Sequence, residues 1–371
     1  MQAYLILANG RVFRGRSIGC PGTTIGEVVF ATGMVGFEET LTDPSYYGQI
    51  ITQTYPLIGN YGMNREDVES GRIWARGYIV REACKTPSNF RSEMTLDAFL
   101  KQNGVIGIEG VDTRSLTRTL RESGVMNGAI TTEFDPEAEP EKTAALLPQI
   151  AAYAVTGAVE AVTCKEPRTW EPTAPGRWGD TPLHVALLDL GCKNNIVRCL
   201  QKRGCRVTVL PGTATAADLA ALQADGLMLS NGPGDPADCT EIIAEIRKLY
   251  DSDVPVFAIC LGHQLMALAT GGDTHKMKYG HRGGNHPVKD LSTGRVYISS
   301  QNHGYVVDAK TLEEKNIARP AFVNVNDGTN EGMAYEGKNI FTVQFHPEAC
   351  PGPQDSSYLF DRFMEMMGGK K

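Results

Sequence analysis

The chain of 371 residues lacks the features that would place it in a membrane or on a nucleic acid. No apolar run approaches the roughly 20 residues that span a bilayer. The opening MQAYLILANGRVF has no basic region before its short apolar patch, which argues against a signal peptide. The formal net charge is -7, and no basic run favours nucleic acid. We therefore expect a cytosolic protein without a membrane or nucleic-acid partner.

Paired cysteines and phosphate-binding loops are also missing. The nine cysteines are scattered singly, without a C-x-x-C pair. This spacing predicts neither a zinc site nor a disulfide framework. A G-x-x-x-x-G-K-[ST] loop, which would cradle the phosphates of a nucleotide, does not occur. We expect no metal and no cofactor in this chain.

Histidine is absent from the first half, and all seven histidines follow residue 183. Residues 1–152 carry short β-branched and aromatic runs broken by turn residues, which predict a mixed α/β domain. One helix is predicted over DTRSLTRTLRESG, with Asp112 as its N-cap and Gly124 as its end. Residues 153–183 are rich in Pro, Glu and Thr and are predicted to be a linker. Residues 184–371 form the second predicted domain.

In this second domain, apolar strands alternate with helices. HVALLDLG, CRVTVLPG, LMLS and VPVFAIC are each followed by a helical pattern. This rhythm predicts an α/β fold with a largely parallel sheet flanked by helices. The remainder, including NIFTVQFHPE, is predicted to add antiparallel strands at one edge. Functional residues of such sheets lie beyond the carboxyl ends of the strands, where SNGPGDP and CLGHQ are found.

A cysteine at the end of a strand is the first candidate for chemistry. Cys260 lies between the apolar strand and a helix, in the string Ala258-Ile259-Cys260-Leu261-Gly262. Small residues on both sides of a sharp strand-to-helix turn are typical of a nucleophile elbow. The unpaired N–H groups and positive end of the following helix favour a thiolate. A buried strand cysteine without a function remains the alternative at this point.

A base and its orienting group follow another strand. His346 and Glu348 are two residues apart in FTVQFHPEA, so an extended backbone points both to one side. A cysteine nucleophile needs such a base, and the base needs such a partner. We therefore predict a triad of these two residues with Cys260, although His346 alone could be a surface histidine before proline. His184 is predicted to be structural, and the other histidines of this half have no acidic partner so placed, namely His263, His275, His281, His286 and His303.

The turn SNGPGDP is a candidate source of oxyanion donors. Gly232 and Gly234 have no Cβ to obstruct a ligand, so their backbone N–H groups can approach the thiol. The N–H of Leu261, directly after the nucleophile, is the other expected donor. Each such donor lowers a barrier by about 3 kcal/mol.

Taken together, the motifs carry a family resemblance. LSNGPGDP, CLGHQLMALATGG and FHPEA, in that order, resemble the class I (triad) glutamine amidotransferases. The strings LLDLGCKNNIVRCL, GHRGGNHPV, SQNHGYVVD, GEVVFATGMVGFEETLTDPSY, YPLIGNYG and GVDTRSLTRTLRE narrow the match. Over essentially its full length the chain is similar to the family of small, glutamine-hydrolysing subunits of carbamoyl-phosphate synthetase.

The resemblance implies a role for each matching residue. Cys260 would attack the side-chain amide of glutamine and form a glutamyl thioester, His346 would transfer the proton, and Glu348 would orient the imidazole. Leu261 and Gly234 would donate to the oxyanion. The residues implied to line the glutamine pocket are Ser45, from the first domain, with Gly232, Gly234, Leu261, Gln264, Asn302, Gly304 and Tyr305.

The resemblance also implies a partner. The chain can release ammonia but has no ATP-binding motif, so a large carbamoyl-phosphate synthetase subunit carrying ATP and Mg is expected in a hetero-oligomer. Three alternatives remain open: an amidotransferase chain of another synthase, a cysteine peptidase or thioesterase with the same triad, and a non-catalytic scaffold.

Overall fold

A computed structural model of the chain describes residues 1–176 and 181–368. The residues fall into two units, Met1–Thr156 and Gly157–Lys371. Residues 177–180 of the predicted linker and residues 369–371 of the predicted second domain lie outside the described residues. The rest of that predicted linker includes a helix and a strand of the second unit.

Short strands and four helices build the first unit. Its strands are β1 Gln2–Leu7, β2 Val12–Gly19, β3 Thr23–Ala31, β4 Gln49–Gln53, β5 Leu57–Ile58, β6 Gly77–Ile79, β7 Glu82–Ala83, β8 Ile106–Glu109 and β9 Met126–Thr131. Its helices are α1 Phe37–Thr42, α2 Leu96–Gln102, α3 Thr113–Ser123 and α4 Pro140–Ala152, and Pro44–Tyr46 form a 3-10 turn.

Most of these strands form a closed barrel in the order β1-β2-β8-β6-β4-β3-β9. Closure follows because β9 pairs antiparallel with both β1 and β3. Helix α3 begins and ends as its sequence predicts: the Asp112 carboxylate accepts the N–H of Ser115 at 2.9 Å, and Gly124 follows the last turn. A core cluster that includes Ile51, Tyr78 and Leu100 packs this unit.

The second unit has longer strands. They are β10 Arg168–Trp170, β11 Leu183–Asp189, β12 Cys205–Pro211, β13 Gly226–Leu229, β14 Val256–Ile259, β15 Asp273–Asp290, β16 Val296–Asp308, β17 Ala318–Asn324, β18 Asn330–Tyr335 and β19 Ile340–Val343. The helices are α5 Ala158–Val162, α6 Asn194–Gln201, α7 Ala216–Ala221, α8 Thr240–Tyr250, α9 Leu261–Ala269, α10 Lys310–Glu313 and α11 Tyr358–Gly368.

All of these strands belong to one 10-stranded sheet, ordered β10-β12-β11-β13-β14-β19-β18-β17-β15-β16. The strands from β12 to β19 in that order are parallel, and the remaining neighbours pair antiparallel. Val256 and Ala258 of β14 pack in one core, whereas Phe257 and Ile259 pack in another. Because both faces of the sheet are covered, its central strands read as continuous apolar runs.

Strand β19 differs from its sequence prediction. It pairs parallel with β14 as well as antiparallel with β18, so it is the last parallel strand of the sheet rather than a member of the antiparallel edge. A short apolar run has the same residue pattern in either direction, and only its neighbours decide the direction. This position puts the end of β19 beside the end of β14. Among the described residues, no helix is both long and apolar enough to cross a bilayer.

Candidate active site

The backbone at Cys260 is strained into a sharp turn. Cys260 follows β14 directly and precedes α9, with φ 53° and ψ -104°. A residue other than glycine held in such a sparsely populated region costs about 1–3 kcal/mol. The Cys260 N–H donates to Val343 O at 2.8 Å, and a Cβ at Gly262 would lie 2.6 Å from Leu229 O. The turn thus has the strand–turn–helix geometry that the small residues predict.

The thiol of Cys260 is enclosed. The residue is 2% exposed, and its Sγ lies 3.7 Å from the carbonyl oxygen of Asn302 on β16. It also occupies the N-cap position of α9, where the first N–H groups of the helix have no intrahelical partner. The positive end of the helix dipole favours negative charge at this sulfur.

The imidazole and the carboxylate lie just beyond the neighbouring parallel strand. His346 Nδ1 is 2.7 Å from Glu348 Oε1, and both side chains are buried. A carboxylate can only accept, so Nδ1 carries the proton and Nε2 is left as the basic nitrogen. Within the described part of the chain, His346 Nε2 is buried without a hydrogen-bond partner. Since Ile259 pairs with Val343, the histidine and Cys260 project from the same edge of the sheet.

A lysine that the sequence analysis did not identify completes the carboxylate's surroundings. Lys193 Nζ lies 2.6 Å from Glu348 Oε1, and both side chains are almost fully buried. The Asn195 side-chain amide donates to the backbone carbonyl of Glu348. The sequence signal was a lysine directly after an apolar strand, in DLGCKNN, where parallel sheets gather functional residues.

These neighbours determine the charge of the carboxylate. Burial raises the pKa of Glu348, but the charge of Lys193 and the contact with His346 outweigh it and lower the pKa to about 2. Glu348 is therefore ionised at neutral pH and can hold an imidazolium that forms beside it.

The predicted oxyanion donors lie on the loop after β13 and at the first residue of α9. Gly232 follows β13, and a Cβ there would lie 2.1 Å from Leu190 O and 2.8 Å from Leu261 Cδ2. The position therefore requires glycine because the loop packs against the start of α9. Gly234, two residues later, has a φ of +94°, a left-handed conformation that favours glycine.

The structure brings other predicted pocket residues together at β16. Gln264 of α9 donates through Nε2 to the carbonyl oxygen of Tyr305 at 2.9 Å and to Gln344 Oε1 at 2.9 Å. Asn302 contacts the sulfur as described, and Gly304 lies between it and Tyr305 on the same strand. Gln344 is thus a further site neighbour that the sequence analysis did not single out.

Ser45 belongs to the first unit. It lies in the 3-10 turn Pro44–Tyr46, where its N–H donates to Asp43 Oδ1 at 2.9 Å. Its side chain is largely buried within that turn region. Its assignment to the glutamine pocket stays a prediction.

Two of the remaining histidines have contrasting surroundings. His281 has an acidic partner, because its Nε2 lies 2.8 Å from Asp327 Oδ2. The partner comes from the turn after β17, so a local spacing rule could not find it. His263, in contrast, is fully buried with Nδ1 against Thr342, and burial lowers its pKa to about 3. That histidine is neutral and acts in packing.

The fold and the site define a class I glutamine amidotransferase. Residues 186–366 match the family described as "Glutamine amidotransferase class-I", and residues 5–130 match "Carbamoyl-phosphate synthase small chain, CPSase domain". These matches confirm the predicted fold class and the predicted resemblance.

Curated relatives identify the family more narrowly. The chain is 49% identical to the carbamoyl phosphate synthase small chain of Syntrophotalea carbinolica, over 99% of this chain and 98% of that protein. It is 50% identical to that of Clostridium perfringens over 98% and 99%, and 48% identical to that of Polynucleobacter asymbioticus over 100% and 96%. The chain belongs to the carbamoyl phosphate synthase small chain family.

Proposed function

We infer that the chain hydrolyses L-glutamine to glutamate and ammonia and supplies the ammonia to a large ATP-using subunit that makes carbamoyl phosphate. Family membership supports the substrate and the product. The observations that carry the chemistry are the strained turn at Cys260 and the His346–Glu348 pair, which follow the adjacent parallel strands β14 and β19. We propose these three as the catalytic residues.

The first half-reaction forms a thioester. His346 Nε2 takes the Cys260 thiol proton, and the sulfur attacks the side-chain amide carbon of glutamine. The N–H groups of Leu261 and Gly234 stabilise the resulting oxyanion. His346 then returns the proton to the amide nitrogen, the carbon–nitrogen bond breaks, and ammonia leaves.

The second half-reaction returns the free enzyme. His346 Nε2 takes a proton from water, and the hydroxide attacks the thioester carbon. Collapse of this second tetrahedral intermediate breaks the carbon–sulfur bond, and the proton passes to the thiolate. Glu348 remains ionised throughout and stabilises the imidazolium, which its low pKa permits.

The partner and the wider role are proposals that follow from the family. We propose a hetero-oligomer in which the large subunit holds ATP and Mg, with no cofactor in this chain, and in which the product serves arginine and pyrimidine biosynthesis in the cytoplasm. The remaining residues proposed to bind glutamine are Ser45, Gly232, Gln264, Asn302, Gly304 and Tyr305. An amidotransferase chain of another synthase is the second candidate, because its triad would be the same.

Cys260→Ser tests the proposal directly. We expect loss of glutamine hydrolysis, because a neutral hydroxyl is a far weaker nucleophile than a thiolate. Ammonia-dependent carbamoyl phosphate synthesis by the complex with the large subunit should be unchanged. Cys84→Ser, a half-buried cysteine of the first unit, is the matched control and should retain both activities.

The readouts are ammonia release from glutamine and carbamoyl phosphate formation, with and without a carbamoyl-phosphate synthetase large subunit. Release that depends on Cys260 and rises with the large subunit supports the proposal. If the large subunit does not change the rate of ammonia release, the chain would instead be the amidotransferase chain of another synthase. Activity on peptides or thioesters with none on glutamine would contradict the amidotransferase function altogether.

A further inference from the structure

A buried cluster of metal-ligating side chains lies on the antiparallel part of the second sheet. His281 of β15 pairs directly with His303 of β16, and Glu331 comes from β18. The three residues are 6%, 5% and 0% exposed. One ligand atom from each lies within 4.8 Å of the others. The mechanism proposed above uses none of these side chains.

Each member of the cluster is oriented by a partner on its other side. His281 Nε2–H donates to Asp327 Oδ2 at 2.8 Å, and His303 Nδ1–H donates to the backbone oxygen of Tyr305 at 2.8 Å. The Asn324 amide donates to Glu331 Oε1 at 3.0 Å. Metal-binding histidines almost always hold their second N–H in this way, on a carboxylate or a backbone carbonyl.

Two polar atoms of the cluster are not satisfied. In the described part of the chain, His281 Nδ1 and Glu331 Oε2 are buried without a hydrogen-bond partner. A buried polar atom left in this state is costly unless something fills the place of the missing partner. Because His303 Nδ1–H donates to Tyr305 O, the lone pair of the neutral ring lies on Nε2.

Two distances between candidate ligand atoms match those around a tetrahedral metal ion. His281 Nδ1 lies 3.4 Å from Glu331 Oε1, and His303 Nε2 lies 3.1 Å from Gln301 Oε1. Bonds of about 2.1 Å to a tetrahedral zinc ion put neighbouring ligand atoms about 3.4 Å apart. The other separations among the ligand atoms are at most 4.8 Å, and side-chain rotation would have to shorten them to bind the ion.

We propose that His281, His303 and Glu331 bind a zinc ion, with the Gln301 side-chain oxygen or water in the fourth position. Two imidazoles and a carboxylate are ligands that zinc accepts readily. The ion would link β15, β16 and β18. Because β16 also carries Asn302, whose carbonyl contacts the Cys260 sulfur, the ion stabilises one wall of the active site without entering the reaction. The inference does not depend on the proposed function.

Metal binding to the full chain provides the test. The metal-free chain is titrated with zinc chloride against a chromophoric chelator, and with cobalt chloride while the visible absorption is recorded. We expect one ion per chain, a tetrahedral cobalt spectrum and a rise in Tm with zinc. His281→Gln and Glu331→Gln should each weaken zinc binding at least tenfold, whereas His275→Gln, on the exposed start of β15, should leave it unchanged.

Asp327→Asn is the mild variant in case the buried substitutions prevent folding. Its side chain is 41% exposed, and losing the partner of His281 should weaken zinc binding about 10- to 100-fold. Absence of stoichiometric binding would overturn the proposal, since an ion pair of a doubly protonated His281 with both carboxylates would then account for the cluster. Equal binding by the wild type and by a folded His281→Gln or Asp327→Asn chain would also overturn it, because zinc would then be held by thiols.

Discussion

At the scale of single residues, the charge of Glu348 depends on Lys193. Burial alone would raise the pKa of this carboxyl group, and the buried ammonium 2.6 Å away is the first of the influences that lower it to about 2. Because the pKa is depressed, the ionised carboxylate stabilises the fold above about pH 4.5, and this contribution is lost as the pH falls through about 2.

Lys193→Met should therefore raise the pKa of Glu348. We expect the acid limb of kcat/KM for glutamine hydrolysis to move to higher pH, because the carboxylate then loses its charge sooner. The unpaired buried charge should also lower the free energy of unfolding at pH 7 by about 3 kcal/mol. The check is a pH–rate profile with urea unfolding, and Lys202→Met, an exposed lysine after α6, is the control. An unshifted acid limb would argue against this role for Lys193.

His346 and Glu348 should contribute unequally to kcat. His346→Asn removes the group that moves the proton, whereas Glu348→Gln removes only its orienting carboxylate, so we expect the larger loss of kcat from His346→Asn. The rate of thioester formation in a single turnover, measured at saturating glutamine, separates these losses of kcat from changes in glutamine binding. The reverse order would show that the roles are assigned wrongly.

At the scale of elements, the turn between β14 and α9 stores strain at Cys260. Its φ of 53° and ψ of -104° are tolerated by glycine at little steric expense. Cys260→Gly should therefore be more stable than Cys260→Ala by about 1 kcal/mol, since both lose the sulfur but only alanine retains the Cβ. Urea unfolding of the two variants measures the difference. Equal or lower stability of the glycine variant would mean that the turn is not strained.

Helix α1 carries one buried and one half-buried carboxyl group, Glu38 and Glu39, whose ionisation destabilises the fold, whereas that of Glu348 stabilises it. Burial raises the pKa of Glu38 to about 7, even though its side chain accepts the N–H of Asn64 at 2.9 Å. Burial raises the pKa of Glu39 to about 8, and its Oε2 has no hydrogen-bond partner in the described part of the chain. The folded state thus holds protons that the unfolded state loses near pH 4.5. Stability must fall as the pH rises from that value towards about 8.

Glu39→Gln should flatten this dependence. The amide has the same shape and never ionises, so the variant should gain free energy of unfolding relative to the wild type as the pH increases from 5 to 8. Urea unfolding across this range is the measurement. Glu122→Gln, on the exposed face of α3, should leave the slope unchanged. A wild-type slope in the Glu39→Gln variant would show that Glu39 ionises normally.

At the scale of the whole molecule, each unit has a core of its own. The cluster with Ile51 and Tyr78 belongs to the first unit, and the clusters on the two faces of the second sheet belong to the other. Calorimetry of the full chain should therefore resolve two transitions. Glu39→Gln should move one of them and Cys260→Gly the other. A single transition that both variants shift would mean that the units unfold cooperatively.

The local features of this protein could be predicted from sequence because they depend on neighbours in the chain. The caps of α3, the alternation of strands and helices and the strand–Cys260–helix turn follow from propensity and periodicity within about ten residues. The His346–Glu348 pair was predictable because its members are two residues apart, although Pro347 and Glu348 lie in a turn after β19 rather than on an extended backbone. The motifs LSNGPGDP, CLGHQLMALATGG and FHPEA then indicated glutamine hydrolysis.

Only the tertiary structure decided the features that join distant segments. Barrel closure by β9 and the parallel pairing of β19 depend on which strands meet, which residue patterns leave open. Lys193, whose charge lowers the pKa of Glu348, lies far from it in the sequence, so this contact has no local signal. The cluster of His281, His303 and Glu331 has no local signal either, because three strands bring its members together. Local physics specifies the elements, whereas side-chain charge and ligand geometry follow from the packing of elements far apart in the chain.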